Sequence, residues 1–226
     1  MSTPIHIGFV IYPNLTQLDA TGPAQVLCYL PGATVHMIWK TLDPVPTDAG
    51  FSIVPTTTFA TCPQLDVLCV PGSASPAALM TDEETLSFVR RQAIHARYVT
   101  SVCTGSLVLG AAGLLKGYKS ACHWAWRDML VSLGAKPVAA RFVRDRNRLS
   151  GGGVTAGIDF GLALAAELAG EEAAKLIQLA LEYDPQPRFD CGSPEKAGPE
   201  RTSKLRAHFA ESLELRQQPH GALAAE

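Results

Sequence analysis

Three short junctions in the sequence carry groups that can do chemistry. Asp19 follows the first strand-like run, Pro71-Gly72-Ser73 follows the apolar run at 67–70, and Cys103-Thr104-Gly105 follows the run at 97–102. In a parallel α/β sheet, ligands bind just beyond the carboxyl ends of the strands. If the three runs are strands of one such sheet, the sequence predicts that a carboxylate, backbone amides and a thiol meet at one site.

Cys103 stands where a strand-like run gives way to a small-residue helical pattern, Ser106–Leu115. The free N–H groups at a helix N-terminus favour a thiolate, so we expect a lowered pKa for the Cys103 thiol. Gly105, two positions later, suits the crowded turn of a nucleophile elbow. Free cysteines are also common as small buried hydrophobic residues, and the spacing alone leaves both interpretations open.

Asp19 is flanked by Leu18 and Ala20, which is an awkward setting for a solvated carboxylate. Its spacing alone favours a helix cap or a surface position. Burial beside a thiol would instead raise its pKa and make it a proton donor or shuttle near neutral pH. Asp19 is therefore a catalytic candidate only together with Cys103.

Gly72 and Ser73 follow an apolar run, and glycine there lets backbone N–H groups approach a ligand closely. With the amide of Thr104 they are candidates for a cradle that holds substrate and developing negative charge. A plain tight turn explains Gly72 and Ser73 equally well.

Two further motifs are interpreted as structural. The glycine run Gly151–Gly153 precedes a helix but lacks the Lys-Ser/Thr pair of a phosphate-binding loop, which favours a close turn. His123, next to Cys122, is interpreted as a structural histidine rather than a base or a metal ligand.

Composition limits the functional classes. The 226 residues are 47% hydrophobic with a formal net charge of −2, which fits a globular protein and disfavours nucleic acid or anionic membrane as partners. The six cysteines form no C-x-x-C pair, so zinc-ribbon and thioredoxin sites are disfavoured. No apolar run approaches the roughly 18 residues that span a bilayer, and no basic leader precedes the first strand. We expect a cytoplasmic protein with reduced thiols and no bound metal.

Strand-like and helical patterns alternate along the chain, which is typical of an α/β protein with a parallel sheet. We expect an α/β domain over 1–199, a C-terminal helix at 200–217 packed on it, and a flexible tail at 218–226. Strands are predicted at His6–Tyr12, Val35–Trp39, Phe51–Val54, Val67–Val70, Arg97–Val102, Val138–Val143 and Arg148–Ser150. Helices are predicted at Leu15–Leu30, Thr81–Ile94, Ser106–Leu115, His123–Leu133, Thr155–Glu167, Glu171–Tyr183 and Glu200–Gln217.

Several runs, taken in order, resemble the ThiJ/PfpI superfamily of single-domain relatives of class I glutamine amidotransferases. The resemblance extends over nearly the whole chain and implies a flavodoxin-like, doubly wound, mostly parallel sheet flanked by helices. The runs that carry it are Leu18–Pro23, Val70–Gly72, Val102–Ser106, His123–Trp124, Gly151–Asp159 and Tyr183–Pro187 with Phe189–Asp190.

Within the superfamily, the same runs resemble the isonitrile hydratases. This resemblance implies hydration of an isonitrile, R–N≡C, to the N-substituted formamide, without a metal or an organic cofactor. Cys103 would attack the terminal carbon, Asp19 would supply its proton, and Thr104, Gly72 and Ser73 would hold water and developing charge. The resemblance also implies a homodimer that packs through the first helix.

Other functions on this scaffold remain alternatives. Related proteases and amidotransferases often place histidine directly after the cysteine, where this chain has Thr104, so peptide or glutamine hydrolysis is disfavoured. The N-terminal motifs also occur in regulators with an AraC-like DNA-binding region, but the residues after Gly117 are needed to complete the sheet, so we expect no helix-turn-helix. A glyoxalase-like hydratase acting on small α-oxoaldehydes and a cysteine-based redox sensor stay open.

Overall fold

The computed structural model describes residues 4–217, with side chains up to position 210. The chain divides into two compact units between Asp184 and Pro185, and the first unit carries the α/β fold. Its strands are β1 (Ile5–Val10), β2 (Ala33–Trp39), β3 (Val45–Pro46), β4 (Ser52–Ile53), β5 (Thr57–Thr58), β6 (Val67–Val70), β7 (Tyr98–Val102), β8 (Lys119–Ser120), β9 (Lys136–Pro137), β10 (Phe142–Asp145) and β11 (Arg148–Gly151). Its helices are α1 (Gln17–Leu27), α2 (Ala77–Met80), α3 (Glu83–Ala93), α4 (Gly105–Ala111), α5 (Ala156–Ala169) and α6 (Glu171–Ala180), with a 3-10 turn at Arg127–Leu130.

The central sheet has the order β10-β11-β7-β6-β1-β2-β5. Its neighbouring strands are parallel except for β10 and β11, which form an antiparallel pair. Without the edge strands β5 and β10, the parallel strands follow the order 2-1-3-4-5 of flavodoxin-like folds. The predicted fold class, a doubly wound and mostly parallel sheet flanked by helices, is confirmed.

The central strands are apolar along their length because helices cover the sheet. All four residues of β6 and the last four of β1 are buried. Helices α1, α5 and α6 pack in one group, and α3 and α4 contact each other in a second.

The candidate site residues are brought together by a reversal in the strand order. From β1 the chain proceeds to β2 on one side of the sheet, whereas from β6 it proceeds to β7 on the other. Such a switch point leaves a crevice beyond the carboxyl ends of the strands. Asp19 follows β1, Gly72 and Ser73 follow β6, and Cys103 and Thr104 follow β7, so all five lie at this edge.

Helix α1, which carries Asp19, lies directly against α5 because glycines leave room between the two helices. A Cβ atom at Gly157 would lie 3.0 Å from Pro23 Cδ, and one at Gly161 would lie 3.2 Å from Val26 Cβ. Atoms this close leave little room for an added side chain. The glycines of α5 therefore set the position of α1 and of its carboxylate.

One predicted helix is wrong. The segment His123–Leu133 forms short turns that include the 3-10 turn at Arg127–Leu130, rather than an α-helix. Trp126 and Leu130 are buried, and the His123 ring centroid lies 5.0 Å from that of Trp126. Tertiary packing of these rings within a compact series of turns outweighs the local helical pattern.

Two predicted strands also differ from the structure. Phe51–Val54 contributes only β4, which pairs with β3 in a separate two-stranded sheet. The predicted strand Val138–Val143 is replaced by β9, which pairs with β8, and by β10, which pairs with β11. Strands β3, β4, β8 and β9 are only two residues long, too short for an apolar alternation to appear, so local patterning alone could not assign the pairings.

The second unit, from Pro185 onward, contains α7 (Pro194–Ala197) and α8 (Pro199–Gln217). Ser193 caps α7 by accepting a hydrogen bond from the Lys196 amide at 3.4 Å. The C-terminal helix predicted at 200–217 is present, whereas its packing on the α/β domain and the domain limit at 199 stay predictions. The predicted flexible tail at 218–226 lies outside the described residues. Within the described chain, no helix is both long and apolar enough to cross a membrane.

The contact between α1 and α5 leads to a stability prediction. The substitution Gly161→Leu places a large side chain against Val26 and Pro23. Overpacking of this kind lowers the free energy of unfolding by about 1–3 kcal/mol. We expect a lower midpoint of thermal unfolding by circular dichroism, by about 2–4 °C for each kcal/mol. Ala169→Leu, at an exposed position of the same helix, is the control and should shift the midpoint little. Equal midpoints for the two variants would contradict close packing at Gly161.

Candidate active site

Cys103 occupies a sharp turn between β7 and α4. Its φ of 58° lies in the left-handed region, which is uncommon for a residue other than glycine, and its amide donates to the Gly151 carbonyl at 3.1 Å. A Cβ atom at Gly105 would lie 1.9 Å from the Val70 carbonyl oxygen. Glycine is therefore required at the second position after the cysteine, as the predicted nucleophile elbow demands.

Asp19 lies in the first turn of α1 and is fully buried. Its Oδ2 accepts a hydrogen bond from the Gly72 amide at 2.9 Å. The other carboxyl oxygen, Oδ1, is also buried and has no hydrogen-bond partner of normal geometry in the described chain. The helix-cap and surface interpretations of Asp19 are therefore wrong.

The turn Pro71–Ser73 connects the carboxylate to the elbow. The Ser73 amide donates to Thr104 Oγ1 at 2.8 Å, and the Thr104 hydroxyl donates back to the Ser73 carbonyl at 2.7 Å. A Cβ atom at Gly72 would lie 2.5 Å from the Thr104 nitrogen and 2.9 Å from Asp19 Oδ2. Only glycine fits there, so the turn, Thr104 and the carboxylate form one interlocked unit.

Burial controls the electrostatics of both reactive groups. It raises the pKa of Asp19 to about 7, against a lowering effect of hydrogen bonds from the Gly72 amide and the Cys103 thiol. Burial, and next the nearby Asp19 charge, raise the pKa of Cys103 well above its usual value, although the Thr104 amide opposes this. Our expectation of a lowered thiol pKa is wrong, because loss of hydration outweighs the helix N-terminus. Near neutral pH, a neutral thiol faces a carboxyl group that readily gains or loses a proton.

His123 and Cys122 lie after β8. Burial lowers the pKa of His123 to about 4, so its imidazole is neutral at pH 7, and His123 Nδ1 accepts the Ala125 amide at 3.3 Å. Cys122 is buried, hydrogen-bonds to Ser106 and has a pKa raised by burial to about 11. Among the described residues, no group of three or more His, Cys, Asp or Glu side chains could hold a metal ion.

Comparison with known proteins identifies the scaffold. The model of the DJ-1/PfpI family matches residues 6–167. This chain belongs to the DJ-1/PfpI family. The match spans the central sheet and each of the three junctions that form the site.

Three known proteins are similar to this chain over most of its length. An isonitrile hydratase of Pseudomonas putida is 56% identical over 212 residues, which cover 94% of this chain and 93% of the relative. The crystal structure of a ThiJ/PfpI family protein from Pseudomonas syringae has 48% identity and a TM-score of 0.90, covering 92% of this chain and 87% of that one. The HTH-type transcriptional regulator GbdR of Pseudomonas aeruginosa is 31% identical over 193 residues, which cover 80% of this chain and 51% of the regulator.

Tyr12 is a residue of this DJ-1/PfpI site that sequence reasoning missed. It lies two residues after the end of β1, and its hydroxyl donates to the Pro71 carbonyl at 3.1 Å. The signal in the sequence is its place at the carboxyl end of a predicted strand, the position that also marks Asp19, Gly72 and Cys103. The predicted strand His6–Tyr12 includes Tyr12 as its last residue, which hides this signal.

The raised pKa of Asp19 predicts that stability depends on pH. The folded protein keeps a proton on Asp19 up to about pH 7, whereas an unfolded aspartate loses it near 3.8. Stability therefore falls as pH rises through this window, by up to about 4 kcal/mol. Asp19→Asn removes the charge but can still accept the Gly72 amide. We expect its unfolding midpoint to exceed that of the parent at pH 8, with a smaller difference at pH 5.

The matched control is Asp43→Asn, which replaces an exposed aspartate. Its unfolding midpoint relative to the parent should change little between pH 5 and pH 8 in scanning calorimetry. A difference between Asp19→Asn and the parent that stays constant across this range would contradict a buried carboxyl group that titrates near neutrality.

Proposed function

We propose that this protein is an isonitrile hydratase, which adds water to R–N≡C to give R–NH–CHO. The observation that carries the proposal is the buried pairing of the Cys103 thiol with the Asp19 carboxyl group, whose Oδ1 accepts no hydrogen bond of normal geometry from the described residues. The 56% identity to the P. putida isonitrile hydratase over most of both chains supports the same substrate class.

The first step joins the thiol to the substrate. The terminal carbon of an isonitrile has a lone pair and is also electrophilic, so it can take a proton and a nucleophile at the same atom. Protonated Asp19 delivers its proton to this carbon from Oδ1 and receives the proton of the Cys103 thiol in return. The sulfur then forms the C–S bond of a thioimidate, R–N=CH–S–Cys. The net change is addition of S–H to one carbon, without net charge separation.

The second step returns the enzyme to its starting state. Water adds to the thioimidate carbon and places one proton on nitrogen, which gives R–NH–CH(OH)–S–Cys. Collapse of this species breaks the C–S bond, forms the formamide carbonyl and returns the hydroxyl proton to sulfur by way of Asp19. Oxygen, protons and electron pairs balance with water as the only co-substrate, and the scheme requires no cofactor.

We propose that Thr104 acts on the reacting atoms, whereas Gly72 and Ser73 hold other groups in place. The Thr104 amide is hydrogen-bonded toward the Cys103 sulfur and can stabilise charge that develops there and on the adjacent tetrahedral carbon. The Gly72 and Ser73 amides already donate to Asp19 and to the Thr104 hydroxyl. Their contribution is therefore to hold those two groups against the substrate.

The covalent step predicts that Cys103 is indispensable. Cys103→Ala should reduce formamide formation from an alkyl isonitrile to the uncatalysed background, measured by liquid chromatography with mass detection. Intact-mass measurement of the parent, quenched during turnover, should show an adduct of one substrate mass on Cys103. Cys28→Ser, which alters an exposed cysteine, should retain the parent rate. Formamide production by Cys103→Ala at the parent rate would rule out the covalent scheme.

The role of Asp19 predicts a limb of the pH–activity profile on which activity falls as pH rises. The protonated carboxyl group starts the reaction, and its pKa is raised to about 7, so kcat/KM should decline as pH rises above about 7. Asp19→Asn should lose about 10²–10⁴-fold in kcat, the usual size of general acid–base assistance. A parent profile that is flat between pH 6 and 9 would remove Asp19 from the proton transfer.

The two rival functions are tested with the same protein samples. Conversion of methylglyoxal to lactate without turnover of isonitriles would favour the glyoxalase-like alternative. A stable Cys103 sulfinate after peroxide treatment, with no turnover of either substrate, would favour a redox sensor.

We also propose that the protein is a cytoplasmic homodimer that packs through α1. Cyclic symmetry with two copies is the commonest assembly of soluble proteins. Sedimentation velocity of the purified chain tests this assembly, since a single species of monomer mass at micromolar concentration would exclude it.

A further inference from the structure

We propose that Tyr12 is a positioning residue for this site, because its hydroxyl group fixes the turn Pro71–Ser73 that aligns Asp19 with Cys103. This inference rests on the proposed function. It concerns how the carboxyl group is held in place rather than which substrate is turned over.

The Tyr12 hydroxyl is bonded to both ends of the turn. It donates to the Pro71 carbonyl at 3.1 Å and hydrogen-bonds to the Ser73 side chain. The Ser73 hydroxyl oxygen also accepts the Ser75 amide at 3.2 Å. One buried phenol therefore holds the first and third residues of a three-residue turn.

The backbone amides of the same turn hold Asp19 and Thr104. The Gly72 amide donates to Asp19 Oδ2 at 2.9 Å, and the Ser73 amide donates to Thr104 Oγ1 at 2.8 Å. The Pro71 carbonyl oxygen lies 2.8 Å from the position that a Cβ atom at Gly105 would take. A shift of the turn therefore changes the carboxylate, Thr104 and the elbow together.

The environment of Tyr12 favours a polar function for its hydroxyl. Only 4% of the residue is exposed, and its ring packs near Trp39 with centroids 6.5 Å apart. A phenylalanine of the same shape would fill this space without burying a polar group, which is costly unless the group is hydrogen-bonded. The titratable groups that face the phenol are Asp19, Cys103 and Asp48. Burial and these acidic neighbours raise the Tyr12 pKa well above its ordinary range, so the phenol stays protonated and remains a donor.

Loss of the hydroxyl should act on the chemical step rather than on substrate binding. Without it, the Pro71 carbonyl and the Ser73 side chain lose a partner, and the turn is free to relax away from α1. The Gly72 amide normally lowers the pKa of Asp19, so weakening this hydrogen bond raises that pKa further. The pH limb assigned to Asp19 should then move to higher pH.

The experiment compares Tyr12→Phe with the parent and with Tyr29→Phe, which changes an exposed tyrosine. We measure kcat and KM for an alkyl isonitrile from pH 5 to 9, together with the thermal midpoint. For Tyr12→Phe we expect kcat to fall about tenfold, because the turn loses the hydrogen bonds of the hydroxyl, with KM within about twofold and the limb moved to higher pH. Tyr29→Phe should match the parent.

A second readout separates this inference from the proposed function. The rate at which iodoacetamide alkylates Cys103, followed by peptide mass spectrometry across the same pH range, reports the coupling to Asp19 without any turnover. A displaced alkylation profile in Tyr12→Phe supports the positioning role. This holds even if the parent produces no formamide, since that result would refute only the hydratase proposal. Unchanged kcat and unchanged profiles would overturn the role of Tyr12. A fall in kcat with unmoved profiles and a lower thermal midpoint would also overturn it, since that pattern indicates a structural effect.

Discussion

The hydrogen bond from the Gly72 amide to the Asp19 carboxylate joins the two strand ends at the switch point of the sheet. A buried carboxyl group without such a bond would lose several kcal/mol of hydration with little in return. With it, Asp19 remains ionisable near neutrality and has a fixed direction. Its first oxygen is committed to the turn, and its second is buried with no hydrogen-bond partner of normal geometry among the described residues.

Several close approaches in the surrounding structure position the hydrogen bond between Gly72 and Asp19. The glycines of α5 bring α1 close enough to place Asp19 above the sheet. Gly72 is required because any side chain there would collide with Thr104 and with the carboxylate itself. Gly105 allows the elbow to approach the end of β6, which brings the thiol to the same edge. Three glycine-dependent approaches therefore set the distance between the Asp19 carboxyl group and the Cys103 thiol.

The sequence was sufficient to locate this edge but not to describe its electrostatics. Cys103, Gly105 and Asp19 could be predicted because turns after apolar strands mark the ligand-binding edge of an α/β fold. The direction of the Cys103 pKa shift could not, since desolvation depends on side chains brought there by packing. The same limit applies to Tyr12, whose partner Pro71 is 59 residues away, and to the segment after Cys122, where aromatic packing replaces a predicted helix.

The neutral state of the Cys103 thiol and the Asp19 carboxyl group limits the kind of reaction that the site can promote. A cysteine hydrolase that uses a charged thiolate and imidazolium needs a basic group beside the thiol, and here Thr104 follows Cys103 while the nearby His123 is neutral. Peptide cleavage also requires protonation of a leaving nitrogen at a different atom from the one attacked. An isonitrile instead accepts proton and sulfur at a single carbon. In the proposed mechanism, a neutral thiol beside a carboxyl group with a pKa of about 7 therefore completes the addition without separating charge in a buried site. Burial thus disfavours formation of a thiolate and, in the proposed mechanism, favours an addition in which sulfur and a proton join the same carbon.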